Sequence, residues 1–374
     1  MQEITNESKK HPTMADYWDG IAYFENFYNE PGWVGHRATE IMPVNGVWYR
    51  FERYKANDPV NYPSIEILGT NVCKSTDKGL TWSEPVKIIE PFGDNAWSRY
   101  CTDSGAYYDG QKWHILFQSM PLDPPGSPWC LSYMVCEQED ATAGTWYAPP
   151  GVVNPVIKNG DIWNTIAVGD NNLTKITGGE KRIFDEGTPK ILLEDDGTIY
   201  ITFHGASITK GTIFGYRGVA TTKDFVIYTK AADDCIFSYL DAESWDVDWH
   251  SNGSVGGGAA AYIKDGEFWY TLIESPDVSL GIVKNQNWPF GLLRSNTLTN
   301  TEWEIWSQNP PPELTPVGPA FTPWSYPALF EDDGMTYMAI TQSYPEHAYR
   351  QYRLVWKEGA EPLTAPSPKR RKIN

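Results

Sequence analysis

Nowhere in its 374 residues does the chain carry an apolar run approaching the ~20 residues that a bilayer-spanning helix requires. Basic residues are also in short supply: Lys plus Arg number 30 against 48 Asp plus Glu, a net charge of −18. That deficit excludes nucleic acid as a partner, because displacing counterions needs a basic footprint, and it argues equally against an anionic membrane surface. The opening MQEITNESKKHP has no apolar h-region, so no signal peptide is expected in the sequence as given. A leader removed ahead of this start would imply a secreted or periplasmic protein; without one the expectation is cytoplasmic.

Cysteine is scarce and odd in number: Cys73, Cys101, Cys130, Cys136 and Cys235. No pair has CxxC spacing, which speaks against a structural zinc site. Buried free thiols are expected, with a Cys130–Cys136 bridge as the alternative in an oxidising compartment. No His/Asp/Glu spacing of metal-site type occurs either, so no cofactor is expected and a central ion is not indicated. Helical periodicity is almost missing.

What is abundant is aromatic: 17 Trp, 22 Tyr and 14 Phe within a 41% hydrophobic composition, which excludes disorder for most of the chain. These residues recur in one pattern, an apolar run, a glycine turn and an aromatic alternating run, the sequence form of a β-hairpin. The five instances are EIMPVNGVWYRF, DSGAYYDGQKWHILF, PKILLEDDGTIYITF, GGAAAYIKDGEFWYTLI and YPALFEDDGMTYMAI. Their turn glycines are Gly46, Gly110, Gly197, Gly266 and Gly334, at spacings of 64, 87, 69 and 68 residues. A long all-strand repeat predicts an all-β fold, a five-bladed β-propeller of four-stranded antiparallel blades. Residues 1–374 would form one domain, with an aromatic lead-in over 1–30 and a flexible tail over 359–374. The blades should close with N-terminal residues beside blade five, because closure removes sheet edges. A two-sheet sandwich also predicts short strands but not this period.

In a propeller the innermost strands start at the mouth of the axial channel, so residues just ahead of each hairpin converge. They are His36 to Glu40, Asp103, Asp185 with Glu186, His250 to Ser254, and Trp324 to Tyr326. Three blades thus offer a carboxylate at one level. Glycoside hydrolysis needs such a set: one carboxyl to protonate the leaving oxygen, one as base or nucleophile, and a third able to tune the acid. Aromatic rings then bind the apolar faces of sugars; Trp33, Trp97, Trp163 and Trp324 border this end, and the lead-in adds Tyr17, Trp18 and Phe24. His204 and His250 are candidates for binding hydroxyls. Inter-blade core packing is the competing role for any one of these rings.

These motifs resemble the five-bladed glycoside hydrolases, families 43, 62, 32, 68 and 117, and are most like families 43 and 117. The resemblance implies that Asp103 in TDSGAYYDGQKWHILF orients the acid and raises its pKa, and that Glu186 in DEGTPKILL is the general acid, with Asp185 as fallback. It departs in two places. Thr188 stands before Pro189, and blade one has no Asp-Pro; its register falls on Thr39 or Glu40. Glu40 is then the expected base, assisted by His36, and inversion is the expected outcome. STDKGLTW (Ser75 to Trp82) also fits the Asp-box of sialidases, a turn device in which Asp77 binds backbone amides and Trp82 packs beneath. No arginine triad is assignable; Arg37, Arg99, Arg217 and Arg294 are expected in surface ion pairs.

The leading expectation is therefore a glycosidase acting from a chain end on an oligosaccharide, its oligomeric state left open. A lectin-like propeller without a working acid–base pair and a propeller-type phosphorylase are the alternatives.

Overall fold

The computed structural model describes residues 11–33, 37–56, 67–91, 98–121, 130–157, 175–177, 180–209, 212–231, 237–238, 259–274, 290–299, 303–306, 324–342, 348–360 and 370–372, some strand ends by backbone alone. They are almost entirely strand. One helical turn, α1 (Met14–Trp18), precedes β1 (Ala22–Pro31). Asp16 caps it by accepting a 2.8 Å hydrogen bond from the Thr13 amide.

Antiparallel meanders then follow in chain order. The first is β2 (Arg37–Val44), β3 (Val47–Lys55), β4 (Leu68–Ser75) and β5 (Val86–Ile89). The second is β6 (Ser98–Tyr108), β7 (Trp113–Pro121) and β8 (Cys130–Cys136), joined to the first by one parallel pairing, Leu68 with Tyr100. β9 (Lys175–Thr177), β10 (Glu180–Leu193), β11 (Ile199–Thr209), β12 (Thr212–Thr222) and β13 (Tyr228–Lys230) form the third, with β14 (Phe237–Ser238) also on β12. The fourth is β15 (Ala260–Asp265), β16 (Phe268–Glu274), β17 (Phe290–Ser295) and β18 (Glu304–Trp306). β19 (Trp324–Asp332), β20 (Met335–Gln342) and β21 (Ala348–Trp356) form the last, and β22 (Arg370–Lys372) pairs back onto β18.

All five turn glycines sit at positive φ, between 60° and 91°, as the hairpin reading requires. The first long strands of the meanders touch in a closed cycle: β2 meets β6, β6 meets β10, β10 meets β15, β15 meets β19, and β19 returns to β2. An apolar cluster fills each interface. Phe51 and Trp113 lie between the first and second meanders, and Leu116 and Phe203 between the second and third. Leu192 and Trp269 lie between the third and fourth, Tyr270 and Met338 between the fourth and last, and Trp48 and Phe330 between the last and first. Each fully buried ring of this kind contributes about 1.5–3 kcal/mol of transfer free energy, so the wedges hold the cycle together.

Closure is by the N-terminus. β1 pairs antiparallel with β21 from Ala22–Trp356 to Pro31–Ala348, covering the edge of the last meander as the edge argument demands. The aromatic lead-in is part of the core rather than a wall of a pocket: Tyr17, Trp18 and Phe24 are buried among Tyr270, Trp306 and Leu354. The described cysteines, Cys73, Cys101, Cys130 and Cys136, are buried free thiols; Cys235 lies outside the described residues.

The Asp-box turn follows its sequence reading. Asp77 accepts from the Thr81 amide at 2.8 Å and from the Thr81 hydroxyl at 2.6 Å, which holds its carboxyl below the usual range.

Candidate functional site

The first strands do not run straight. β2 slips register between Ala38 and Glu40, β6 between Thr102 and Gly105, β10 between Gly187 and Lys190, and β19 between Ser325 and Ala328. Each slip is a β-bulge, which bends a strand and re-aims its side chains. Three bulges carry a non-glycine residue at positive φ: Asp103 at 52°, Thr188 at 40° and Tyr326 at 56°. Such backbone costs about 1–3 kcal/mol per residue and collects where function over-determines geometry.

Asp103 is the centre of the cluster. It is 4% exposed and accepts a 3.0 Å hydrogen bond from the Tyr326 hydroxyl. The Arg53 guanidinium from β3 stands 3.6 Å away and lies 5.4 Å from the Tyr326 ring centroid. One buried carboxylate thus has a phenol and a cation from two other meanders.

The neighbouring groups are packed to backbone contact. A Cβ on Gly105 would stand 2.5 Å from the Pro189 carbonyl oxygen, so β6 and β10 approach as only glycine allows. Thr39 and Ser104 share a 3.2 Å hydroxyl–hydroxyl hydrogen bond between β2 and β6. The Lys190 ammonium crosses from β10 to donate to the Thr39 carbonyl at 2.5 Å and to Glu40 at 3.0 Å. Burial raises the Glu40 carboxyl above its ordinary value, and Lys190 works against that rise.

From β7 of the second meander, Gln118 accepts the Thr188 amide of the third at 3.0 Å. Gln118 and His204 both crowd Gly187, where a Cβ would meet their polar ends at 2.3 and 2.5 Å. Burial, aided by the charge of Arg217, pushes the His204 imidazole down to about 3, so it is neutral at ordinary pH. Its Nδ1 is buried with no hydrogen-bond partner among the described residues.

Of the residues expected from sequence, Asp103, Glu40 and His204 lie on these three neighbouring first and second strands. Glu186 is in β10, two residues before the Thr188 bulge, and Trp324 opens β19 opposite Gln342; both side chains lie outside the described residues. His36, Trp97, Trp163 and His250 also lie outside them. Trp33 is buried, stacked on Tyr349 at 4.8 Å between ring centroids and set over Arg50 at 4.6 Å. Arg217 and Arg294, expected on the surface, are both buried; Arg294 is ion-paired, with Glu304 at 2.9 Å.

Arg53, Lys190 and Gln118 escaped the sequence reading, and Tyr326 was only inside a candidate range. A signal existed for Tyr326: SYPALF and GTPKILL each place a Pro a few residues ahead of the hairpin turn, directly after the bulged residue.

No protein-family model and no curated relative matches this sequence. Solved structures match in fold. The complex of BT0996 with RGII aligns over 95% of this protein and 98% of its own length, at TM-score 0.58 and 11% identity. A structure described as a glycoside hydrolase gives the same values. The Bombyx mori GH32 β-fructofuranosidase BmSUC1 aligns over 87% of this protein and 60% of its own length, at TM-score 0.52 and 14% identity. The protein therefore shares an all-β fold with distant glycoside hydrolase structures.

Proposed function

We propose that the protein is a glycoside hydrolase built as a single-domain, five-bladed β-propeller, the cycle β2–β6–β10–β15–β19 forming its axis. One observation carries the reading: the buried Asp103 carboxylate, on a strained bulge at the axis, held by Tyr326 and Arg53 from other blades. Unlike Asp333, whose positive φ serves a hairpin turn, Asp103 has it on a buried bulge where three meanders meet, and the glycosidase chemistry is taken by analogy of fold.

In this reading Glu186 protonates the glycosidic oxygen as the bond to the anomeric carbon breaks. Glu40 takes the proton from the water that adds to the opposite face, so the product is inverted. Lys190 keeps Glu40 ionised before the step, and burial makes that carboxylate a better proton acceptor. Asp103 has the role the resemblance gives it, orienting the acid and raising the pKa of that acid as a neighbouring carboxylate does. The neutral His204 can accept or donate a hydrogen bond to a sugar hydroxyl without adding charge. The substrate is an oligosaccharide attacked from its end.

The test is a screen of plant and algal oligosaccharides with product detection, comparing wild type with Glu186→Gln and Asp103→Asn. Turnover by wild type and a loss of about 10²–10⁴-fold in Glu186→Gln support the reading. A lectin-like role has one observation in its favour, the engagement of Glu40 by Lys190. Binding with no turnover of any substrate would establish it instead.

A further inference from the structure

The strand β3 has two faces, and only one belongs to the axial cluster. Phe51 and Arg53 face the second meander, towards Trp113 and Asp103. Trp48, Arg50 and Glu52 alternate with them and face the last meander, towards Tyr349 and Phe330. On this second face lies a cavity of about 340 Å³ whose walls include Glu30, Trp33, Arg50, Trp82, Ser83 and Glu84. Its size falls in the range of about 300–1,000 Å³ found for small-molecule sites. It draws on the closing strand β1, the middle of β3 and the segment after the Asp-box, and on none of the bulged first strands.

Arg50 fixes the walls. Its guanidinium is buried, donating to Glu52 at 2.7 Å and to Glu30 at 3.0 Å. The rings of Trp33, Trp82 and Tyr349 surround it at 4.6, 4.3 and 4.5 Å. The aromatic box is thus filled by the protein's own cation, which leaves no room in it for a ligand cation. Glu30 and Glu52 more than balance Arg50, and the exposed Glu84 adds further negative charge, so phosphate, sulfate and uronate ligands are repelled. No group of three His, Cys, Asp or Glu among the described residues is placed to hold a metal ion. Trp33 is spent on core packing, so what remains on offer is the half-buried Trp82 indole, carboxylates that accept hydrogen bonds, and the Ser83 hydroxyl. That set suits a neutral polyol: C–H faces against indole, adjacent hydroxyls donating to carboxylate.

We propose that this cavity is a second saccharide-binding site, separated from the axial cluster by the β2–β5 sheet, which holds a neutral glycan unit. The proposal takes its ligand class from the glycosidase reading but needs no turnover. It lets the protein stay on a glycan while the axial site works on an end.

The experiment is affinity electrophoresis of the full chain through gels containing neutral arabinan, neutral galactan or, as the anionic control, polygalacturonan. At least one neutral polysaccharide should retard wild type and Asp103→Asn alike, and polygalacturonan should retard neither. Glu84→Ala, a change at an exposed position, should weaken retardation about tenfold, the loss expected of one charge-assisted hydrogen bond. Trp82→Ala should abolish it, its fold checked by thermal melting; if Trp82→Ala is unfolded, Glu84→Ala decides. Absence of retardation by both neutral polymers, retardation untouched by Glu84→Ala, or retardation lost in Asp103→Asn would each overturn the site. Retardation lost in Glu84→Ala by a protein that hydrolyses nothing would leave this site standing and remove the glycosidase reading.

Discussion

The Tyr326 hydroxyl donates to the Asp103 carboxylate at 3.0 Å although 223 residues separate the two. Both occupy left-handed backbone on bulges of their strands. The bond runs from the second meander to the last, and the first meander lies between them in the cycle of strands. The contact therefore needs the last meander docked on the first, through β19 against β2, and the first on the second, through β2 against β6. Two strained residues meeting through a charge-assisted hydrogen bond are what a preorganised site requires.

Tyr326→Phe keeps the ring beneath Arg53 and removes only the donor. Asp103 is buried, so the lost bond should destabilise the fold by about 1.5–3 kcal/mol in urea titrations, the range for hydrogen bonds to charged groups. Turnover of any substrate found in the screen should fall as well. An unchanged unfolding midpoint would show that the Asp103–Tyr326 contact is not made in solution.

Gly105→Ala tests the close approach of β6 and β10. The new methyl would stand 2.5 Å from the Pro189 carbonyl oxygen, which is backbone and cannot swing aside. Overpacking of this kind costs about 1–3 kcal/mol, and here it also pushes the Asp103 and Thr188 bulges apart. Thermal melting with a midpoint equal to wild type would mean that the two strands do not touch at Gly105.

Much of the scaffold was legible because hairpins write themselves locally. Gly46, Gly110, Gly197, Gly266 and Gly334 each mark a turn, and the need to cover a sheet edge foretold that N-terminal residues would join the last meander. Asp103 was legible because its motif sits next to a hairpin. Arg53 and Lys190 were not. Each is a cation in a strand, where alternation predicts a solvated face; their roles depend on which side chain a different sheet presents, a distance no local pattern encodes. Trp33, Tyr17 and Trp18 show the converse error of scale: aromatic rings near a predicted mouth suit sugar, but the wedges between sheets need more rings than a pocket does, and core packing claims these three.

Stability should fall with acid partly through His204. Its folded imidazole titrates at about 3, against about 6.5 for the unfolded chain, so between those values the unfolded state binds the extra proton. The contribution is fully present above pH 6.5 and is lost as pH drops towards 3, with a slope of at most about 1.4 kcal/mol per pH unit. His114, also lowered by burial, works in the same direction, so the comparison must be with a variant. In His204→Gln the urea stability should decline less steeply between pH 6.5 and 4.5 than in wild type. Parallel pH profiles for the two proteins would remove His204 as a buried neutral group.

The Arg50 clamp makes the sharpest energetic prediction, because its parts are buried and in direct contact. Arg50 is 3% exposed, and Glu52, which accepts its Nε–H at 2.7 Å, is nearly as well covered. Glu52 also accepts from the Cys73 thiol at 3.0 Å, and burial pushes that thiol far above its ordinary range, so Cys73 adds no competing negative charge. Arg50→Met should fill much of the same volume but leave Glu52 buried without its cation, a loss of about 3–5 kcal/mol. Glu52→Gln removes the carboxylate charge while Glu30 still faces Arg50, so its cost should be smaller. In the double variant Arg50→Met/Glu52→Gln the stranded charge is gone, and part of the first loss should return. The double-mutant cycle in urea should therefore show a coupling of about 1–3 kcal/mol, whereas additivity within about 0.5 kcal/mol would mean that Arg50 and Glu52 do not act as a pair.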